Sequence, residues 1–175
     1  HATIAVAGHN VKLGAGGIRE IEFFAQTQQL IAGGRDPRLR VPGTCDAIRA
    51  LAHTGRLDPE AAVEMTSAYD FLRTLEHRIQ MVADEQTHDI PKDAQAMARV
   101  SGFLGYQDIA AFEAAVIAHL TIVSGHYAKL FEQAKPLTST GNLVFTGTET
   151  DPGTLETLDG LGFSDGPRAV AVVQG

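Results

Sequence analysis

From Gly16 onward the apolar positions recur every three or four residues, a period that predicts helices. Ile18, Ile21, Phe24 and Ile31 form the first stripe. Gly33-Gly34 closes it, because glycine accepts the left-handed backbone of a helix C-terminus. A basic loop with two prolines, RDPRLRVPGT, comes next. Thr44 is placed to cap a short helix that reaches Ala52, with Gly55 as its stop. Asp58-Pro59 is a stronger start signal, an N-cap carboxylate followed by proline at the first helical position. The helix behind it is predicted to run to about Asp84. Its Met65, Ala68, Leu72, Leu75, Ile79 and Val82 are spaced alternately three and four apart, the seam of a helix packed alongside others. QTHDIP breaks this pattern before Pro91. A short helix from about Asp93 to Ser101 precedes Gly102 and Gly105. The last long helix is predicted from about Asp108 to Gln133, with Ile109, Phe112, Val116, Leu120, Val123, Tyr127 and Leu130 on one face. Three long amphipathic helices and two short ones predict an all-α fold, an up-and-down helical bundle.

The two ends depart from the helical period. Residues 3–13, TIAVAGHNVKL, are β-branched and partly alternating and predict one or two short extended pieces. A lone strand needs a partner, so the expectation is an isolated hairpin through Gly8 or an edge of a sheet outside this sequence. After Pro136 the chain is rich in Thr and Gly and reads as loop. Asp151-Pro152 repeats the capped start for a short helix over 152–161, and a further helix begins near SDGPRAVAVVQG. The start without Met and the apolar Val170 and Val173 at the end imply a piece of a longer chain.

Composition narrows the function classes. The 175 residues carry a net charge of -7, which argues against a broad nucleic-acid-tracking surface. The Arg35, Arg38 and Arg40 cluster is a local exception. No run reaches the roughly 18 apolar residues of a membrane helix, and the first residues lack a signal-peptide pattern. Cys45 is the only cysteine, so neither an internal disulfide nor a cysteine-based zinc site can form. The expected location is the cytoplasm.

Four stretches carry candidate chemistry. VKLGAGGIREIEFF places Gly14, Gly16 and Gly17 just before a helix, where free N–H groups and the helix dipole favour an anion. No Lys-Ser/Thr follows, and Arg19 stands where GxGxxG needs its third glycine, so the missing motif residues favour a plain hinge over a phosphate cradle. Arg19 is unfavourable in a first helical turn, unlike Glu20 and Glu22, and this implies a carboxylate or phosphate partner or else a solvated face. Arg73, Glu76 and Gln80 share a helix face beside the apolar seam, with His77 and Arg78 adjacent. They fit a polar cleft wall or an ion pair that fixes bundle register. Glu85 to His88 reads Glu-x-x-His, the di-metal bundle motif, but no second copy exists. No metal site and no nucleophile signature follow.

Three segments together add what spacing does not: NVKLGAGGIREIEFFAQTQQLIAGGRDPRLR (10–40), AYDFLRTLEHRIQMVADEQTHDIP (68–91) and GNLVFTGTETDPGTLETLDGLGF (141–163). The chain resembles bacterial glutamine synthetase adenylyltransferase, the bifunctional adenylyltransferase/adenylyl-removing enzyme, over nearly its whole length from Asn10. GGIREIEF is the most specific element, and with QTHDIP it resembles the N-terminal, adenylyl-removing half.

The resemblance implies a polymerase-beta-type catalytic domain followed by a helical bundle in each half. Residues 1–14 would then be the edge of that catalytic domain, 15–135 the bundle, and 136–175 the connection toward the next domain. One half adds AMP from ATP to a tyrosine of glutamine synthetase, and the other removes it by phosphorolysis, giving ADP. Mg2+ and ATP, ADP or phosphate are implied for the full-length enzyme, with none held tightly by this piece. The two metal-binding aspartates would lie upstream, so no catalytic residue is expected here. The nearest place for a third acidic ligand is Asn10. Lys12, Gly14, Gly16, Gly17, Arg19 and Glu22 would lie near the nucleotide. Glutamine synthetase and a PII-type signal protein are the implied partners, and an interaction module without nucleotide contact is the alternative.

Overall fold

Proline at the first position and the Asp58 carboxylate, which accepts from the amides of Glu60 and Ala61, start the longest helix of a computed structural model. The structure describes residues 5–132, without the side chains of 131 and 132. The helices are α1 (Ile18–Ala32), α2 (Thr44–His53), α3 (Pro59–Ala83), α4 (Ala94–Phe103) and α5 (Ile109–Glu132). A 3-10 turn, Pro37–Leu39, lies between α1 and α2. The helix α3 packs against each of the other four, and α1 also packs on α2 and α5. All-helical architecture follows as the pattern predicts: five helices in a bundle, with no strand among the described residues. The chain divides into two units, His1–Glu132 and Gln133–Gly175, so the helices expected beyond residue 136 fall outside the described residues.

The core is the meeting of the predicted seams. Met65, Ala68, Leu72, Leu75 and Ile79 of α3 and Phe112, Val116, Leu120 and Val123 of α5 are buried, while Val82 is half-buried at the core's edge. The helix Ile109–Leu130 is also long and apolar enough, by composition, to cross a bilayer. In the bundle its four large core side chains are enclosed, and the outer face is rich in alanine.

Four local expectations change. Gly33 ends α1 in right-handed backbone (φ -68°), and neither Gly33 nor Gly34 has a positive φ, so the left-handed cap expected there does not form. Ile31 is 68% exposed, and Ala25 and Ala32 complete the buried stripe instead. At about 100° per residue, Ile31 lies roughly 140° round the helix from Ile18, just past Phe24, which marks the edge of the buried face. Thr44 is the first helical residue of α2 rather than its cap; Gly43 is the cap. The Asp46 carboxylate folds over that end, so closely that a Cβ on Gly43 would come within 2.9 Å of it.

The N-terminal segment also finds its partner inside the chain. Val11 to Leu13 form a turn rather than a strand. A single antiparallel bridge joins Asn10 to Asp89. Gly8 N–H donates to the Ile90 carbonyl at 2.8 Å, Ile90 N–H to His9 at 2.9 Å, and Val11 N–H to His88 at 2.9 Å. QTHDIP is therefore the pairing strip for residues 8–11. Val6 and Val11 drop into the bundle core beside it.

Candidate functional site: a cationic ledge on a buried carboxylate

The glycine turn is built by close approach. Gly16 has a φ of +74°, and a Cβ there would lie 2.2 Å from the backbone carbonyl oxygen of Leu120 on α5. Gly14 and Gly17 press on the backbone of the same turn, where a Cβ would come within 2.5 Å of the Asn10 carbonyl and 2.8 Å of those of Val11 and Gly14. Their amides are engaged locally: Gly14 N–H donates to Asn10 (2.8 Å), Gly17 N–H to Gly14 (2.9 Å) and Gly16 N–H to the Glu20 carboxylate (3.0 Å). Ile18 and Arg19, the first helical amides, donate to the carbonyls of Val11 and Lys12. The donors that make a free helix N-terminus attract anions are thus used within the turn. Burial pushes the Glu20 carboxyl up, and the Gly16 amide partly offsets this.

Asn10 shapes the loop from the other side. Its Oδ1 accepts from the amides of Lys12 (3.1 Å) and Leu13 (2.7 Å), and its Nδ2 donates to Asp89 Oδ1 (2.7 Å). This Asx-type turn aims Lys12 back toward α3.

There it meets Glu76, which is 2% exposed and the one buried carboxylate among the described residues. Lys12 Nζ lies 3.6 Å from Glu76 Oε1, and Arg73 donates to Oε2 at 2.5 Å. His88 Nδ1 sits 2.8 Å from Oε1, in ion-pair range but out of line for a hydrogen bond. Lys12 and Arg73 keep 35% and 37% of their side chains exposed. Arg19 is exposed and has no ion pair with any described residue. Glu22 is half-buried and accepts a hydrogen bond from the Tyr69 hydroxyl at 3.2 Å, and burial pushes that phenol's pKa up.

Of the six residues expected near a nucleotide, Lys12, Arg19 and Glu22 thus present side chains around one end of α1, and the three glycines form the turn beneath them. Sequence reasoning paired Glu76 with Arg73 but not with Lys12 or His88. Three-residue helical spacing shows the first contact; the others cross between segments and leave no local signal.

The remaining candidates resolve as structure. Arg38 pairs with Asp36, and Arg40 bonds the carbonyls of Gly33 and Gly34, so the basic loop is internally tied. Arg78 lies over the Phe103 ring. Of Glu85 and His88, only His88 turns inward, toward Glu76. No three His, Cys, Asp or Glu side chains among the described residues could share a metal ion. Glu76 is already surrounded by cationic partners, so the described residues do not fit Mg2+. Lys12 and Arg73 keep about a third of their side chains exposed and Arg19 is exposed, and cationic donors of this kind suit an anion instead.

Residues 1–131 match the family model described as GlnD PII-uridylyltransferase. The chain belongs to this family. It is homologous to proteins named bifunctional glutamine synthetase adenylyltransferase/adenylyl-removing enzyme. The Rhizobium meliloti protein is 57% identical over 93% of this chain, and the Brucella melitensis protein 56% over the same share. The Mesorhizobium japonicum protein is 53% identical over 100% of it. The chain spans 17–18% of the length of these relatives.

Proposed function

We propose that the chain is the helical bundle flanking the nucleotide site in the N-terminal, adenylyl-removing half of a bifunctional glutamine synthetase adenylyltransferase. The observation that carries this reading is the ledge itself. Lys12 and Arg73, distant in sequence, converge on Glu76, and the exposed Arg19 donates its backbone amide to the Lys12 carbonyl. The relatives' names supply the reaction class, and the ledge supplies an anion-facing surface in the segment that carries GGIREIEF. Residues 1–14 then form the seam with a catalytic domain upstream, residues 15–135 are the bundle, and residues 136–175 lead out of this half. The enzyme works in the cytoplasm on glutamine synthetase, under a PII-type signal protein.

In phosphorolysis an oxygen of inorganic phosphate bonds to the phosphorus of the tyrosine-linked AMP. The bond from that phosphorus to the tyrosine oxygen breaks, the phenol recovers a proton, and ADP leaves. Positioning and charge neutralisation dominate such transfers. Mg2+, held by aspartates outside this chain, would supply part of the neutralisation. This chain's own contribution is to present Lys12, Arg19 and Arg73 to phosphate oxygens, with the glycine turn holding their register. Arg19→Ala in the full-length enzyme tests the reading through phosphorolysis of adenylylated glutamine synthetase. Slower ADP formation with a raised phosphate requirement is expected. An unchanged rate with unchanged phosphate dependence would sink it.

A further inference from the structure

A charge in the α3 core is out of keeping with its neighbours, since Leu72, Leu75 and Ile79 are all buried and apolar. Replacing a buried ion pair with packed apolar side chains is often neutral or stabilising. Bundle stability therefore does not by itself account for a carboxylate at residue 76. The partners of Glu76 are informative instead. They come from three segments: Arg73 from α3, Lys12 from the turn before α1, and His88 from the strip that pairs with residues 8–11. Arg73 directs a guanidinium N–H to the buried carboxylate, and Lys12 its ammonium, while about a third of each side chain stays open to solvent. Lysine has three such donors and arginine five, so both retain N–H groups for an outside acceptor. Two cations on one carboxylate also leave a positive charge over.

We infer that Glu76 is a positioning residue, which acts by holding Lys12 and Arg73 so that their free N–H groups face the oxygens of the attacking inorganic phosphate. The inference rests on the reading of the ledge as the phosphate-facing wall. It assigns Glu76 no contact with substrate. Losing the carboxylate frees both cations to swing into solvent and loosens the 8–11 strip through His88. Phosphate engagement weakens, while the chemical step on bound phosphate changes less.

The test uses the full-length enzyme, with ADP formation from adenylylated glutamine synthetase measured against inorganic phosphate concentration. Glu76→Gln is compared with Glu76→Asp, with Lys12→Met/Arg73→Met, and with all three substitutions combined. Thermal unfolding is followed for each variant. Glu76→Gln should raise the phosphate KM on the order of tenfold, the scale of a lost charged hydrogen bond, with a smaller change in kcat. Glu76→Asp should recover part of that loss. Adding Glu76→Gln to the Lys12→Met/Arg73→Met enzyme should shift KM by less than about twofold, because the groups it positions are gone. An equal KM effect in both backgrounds, or a lower unfolding temperature with KM unchanged, overturns the positioning role. If Lys12→Met/Arg73→Met impairs phosphate use while Glu76→Gln does not, the ledge reading stands and this inference fails. If neither changes phosphate dependence, the ledge reading fails with it.

Discussion

The α3–α5 seam and the glycine turn before α1 are both tightly packed, but different things fill them. In the seam, Leu72, Leu75 and Ile79 meet Phe112, Val116, Leu120 and Val123, and side-chain volume does the work. In the turn, backbone meets backbone, and Gly16 rests on the Leu120 carbonyl with no room for a single carbon. The seam tolerates exchange between apolar shapes of equal volume, and the turn tolerates no added atom. A bundle needs only the first kind of packing. The second holds a loop at a fixed place on the bundle, and that loop carries Lys12.

The largest expected effect breaks the turn. Gly16→Val adds a side chain at positive φ and drives it into the α5 backbone, so the loss should exceed about 3 kcal/mol. Gly34→Ala, where no atom lies within 4 Å, should stay within about 0.5 kcal/mol. Urea unfolding of both variants checks the contrast, and similar costs would remove it. Next comes the seam. Leu72→Ala should cost about 2–5 kcal/mol through a cavity, and Leu72→Met less than about 1.5 kcal/mol. Equal costs for the two would mean that the seam is as shape-bound as the turn.

Those two regions were also unequally legible in the sequence. The alternating three- and four-residue spacing from Met65 to Val82 states both the helix and its buried face. Asp58-Pro59 states where that helix begins. Stripe membership failed only where the period drifts, at Ile31. The turn was legible as three glycines but not as to their purpose. Nothing local says that Gly16 meets Leu120, or that QTHDIP pairs with residues 8–11. The ledge was half legible: Arg73 and Glu76 show their pairing by helical spacing, whereas Lys12 and His88 reach Glu76 only through the tertiary fold. Arg19 stood out because a cation is unfavourable in a first helical turn, and it is exposed without an ion pair among the described residues.

A smaller effect sharpens the role of the turn's polar clamp. Asn10→Ala removes two acceptor bonds to the amides of Lys12 and Leu13 and the link to Asp89, for about 1–2 kcal/mol. Urea midpoints for Asn10→Ala and Asp89→Ala, alone and together, should show coupling; strict additivity would mean that the clamp is not one unit. The smallest effect is a pH slope. His119 is stacked on Phe71, and burial holds its imidazole below the usual histidine range. Burial lowers His9 in the same direction. At these two positions the unfolded chain binds more protons than the folded one, so their contribution to stability is full above about pH 6.5 and is lost as pH falls through the folded-state values. His119→Phe keeps a ring on Phe71 and removes the His119 titration. Its urea midpoint should fall less steeply than that of the natural chain between about pH 7 and pH 5. An unchanged slope would show that His119 does not carry this dependence.

The most direct test of the central claim measures both reactions of the full-length enzyme carrying Lys12→Met and Arg19→Ala together. Phosphate-dependent ADP formation from adenylylated glutamine synthetase should fall at least about tenfold, while AMP transfer from ATP to unmodified glutamine synthetase should stay within about twofold. Loss of AMP transfer with phosphorolysis intact, or both reactions unchanged, would contradict it.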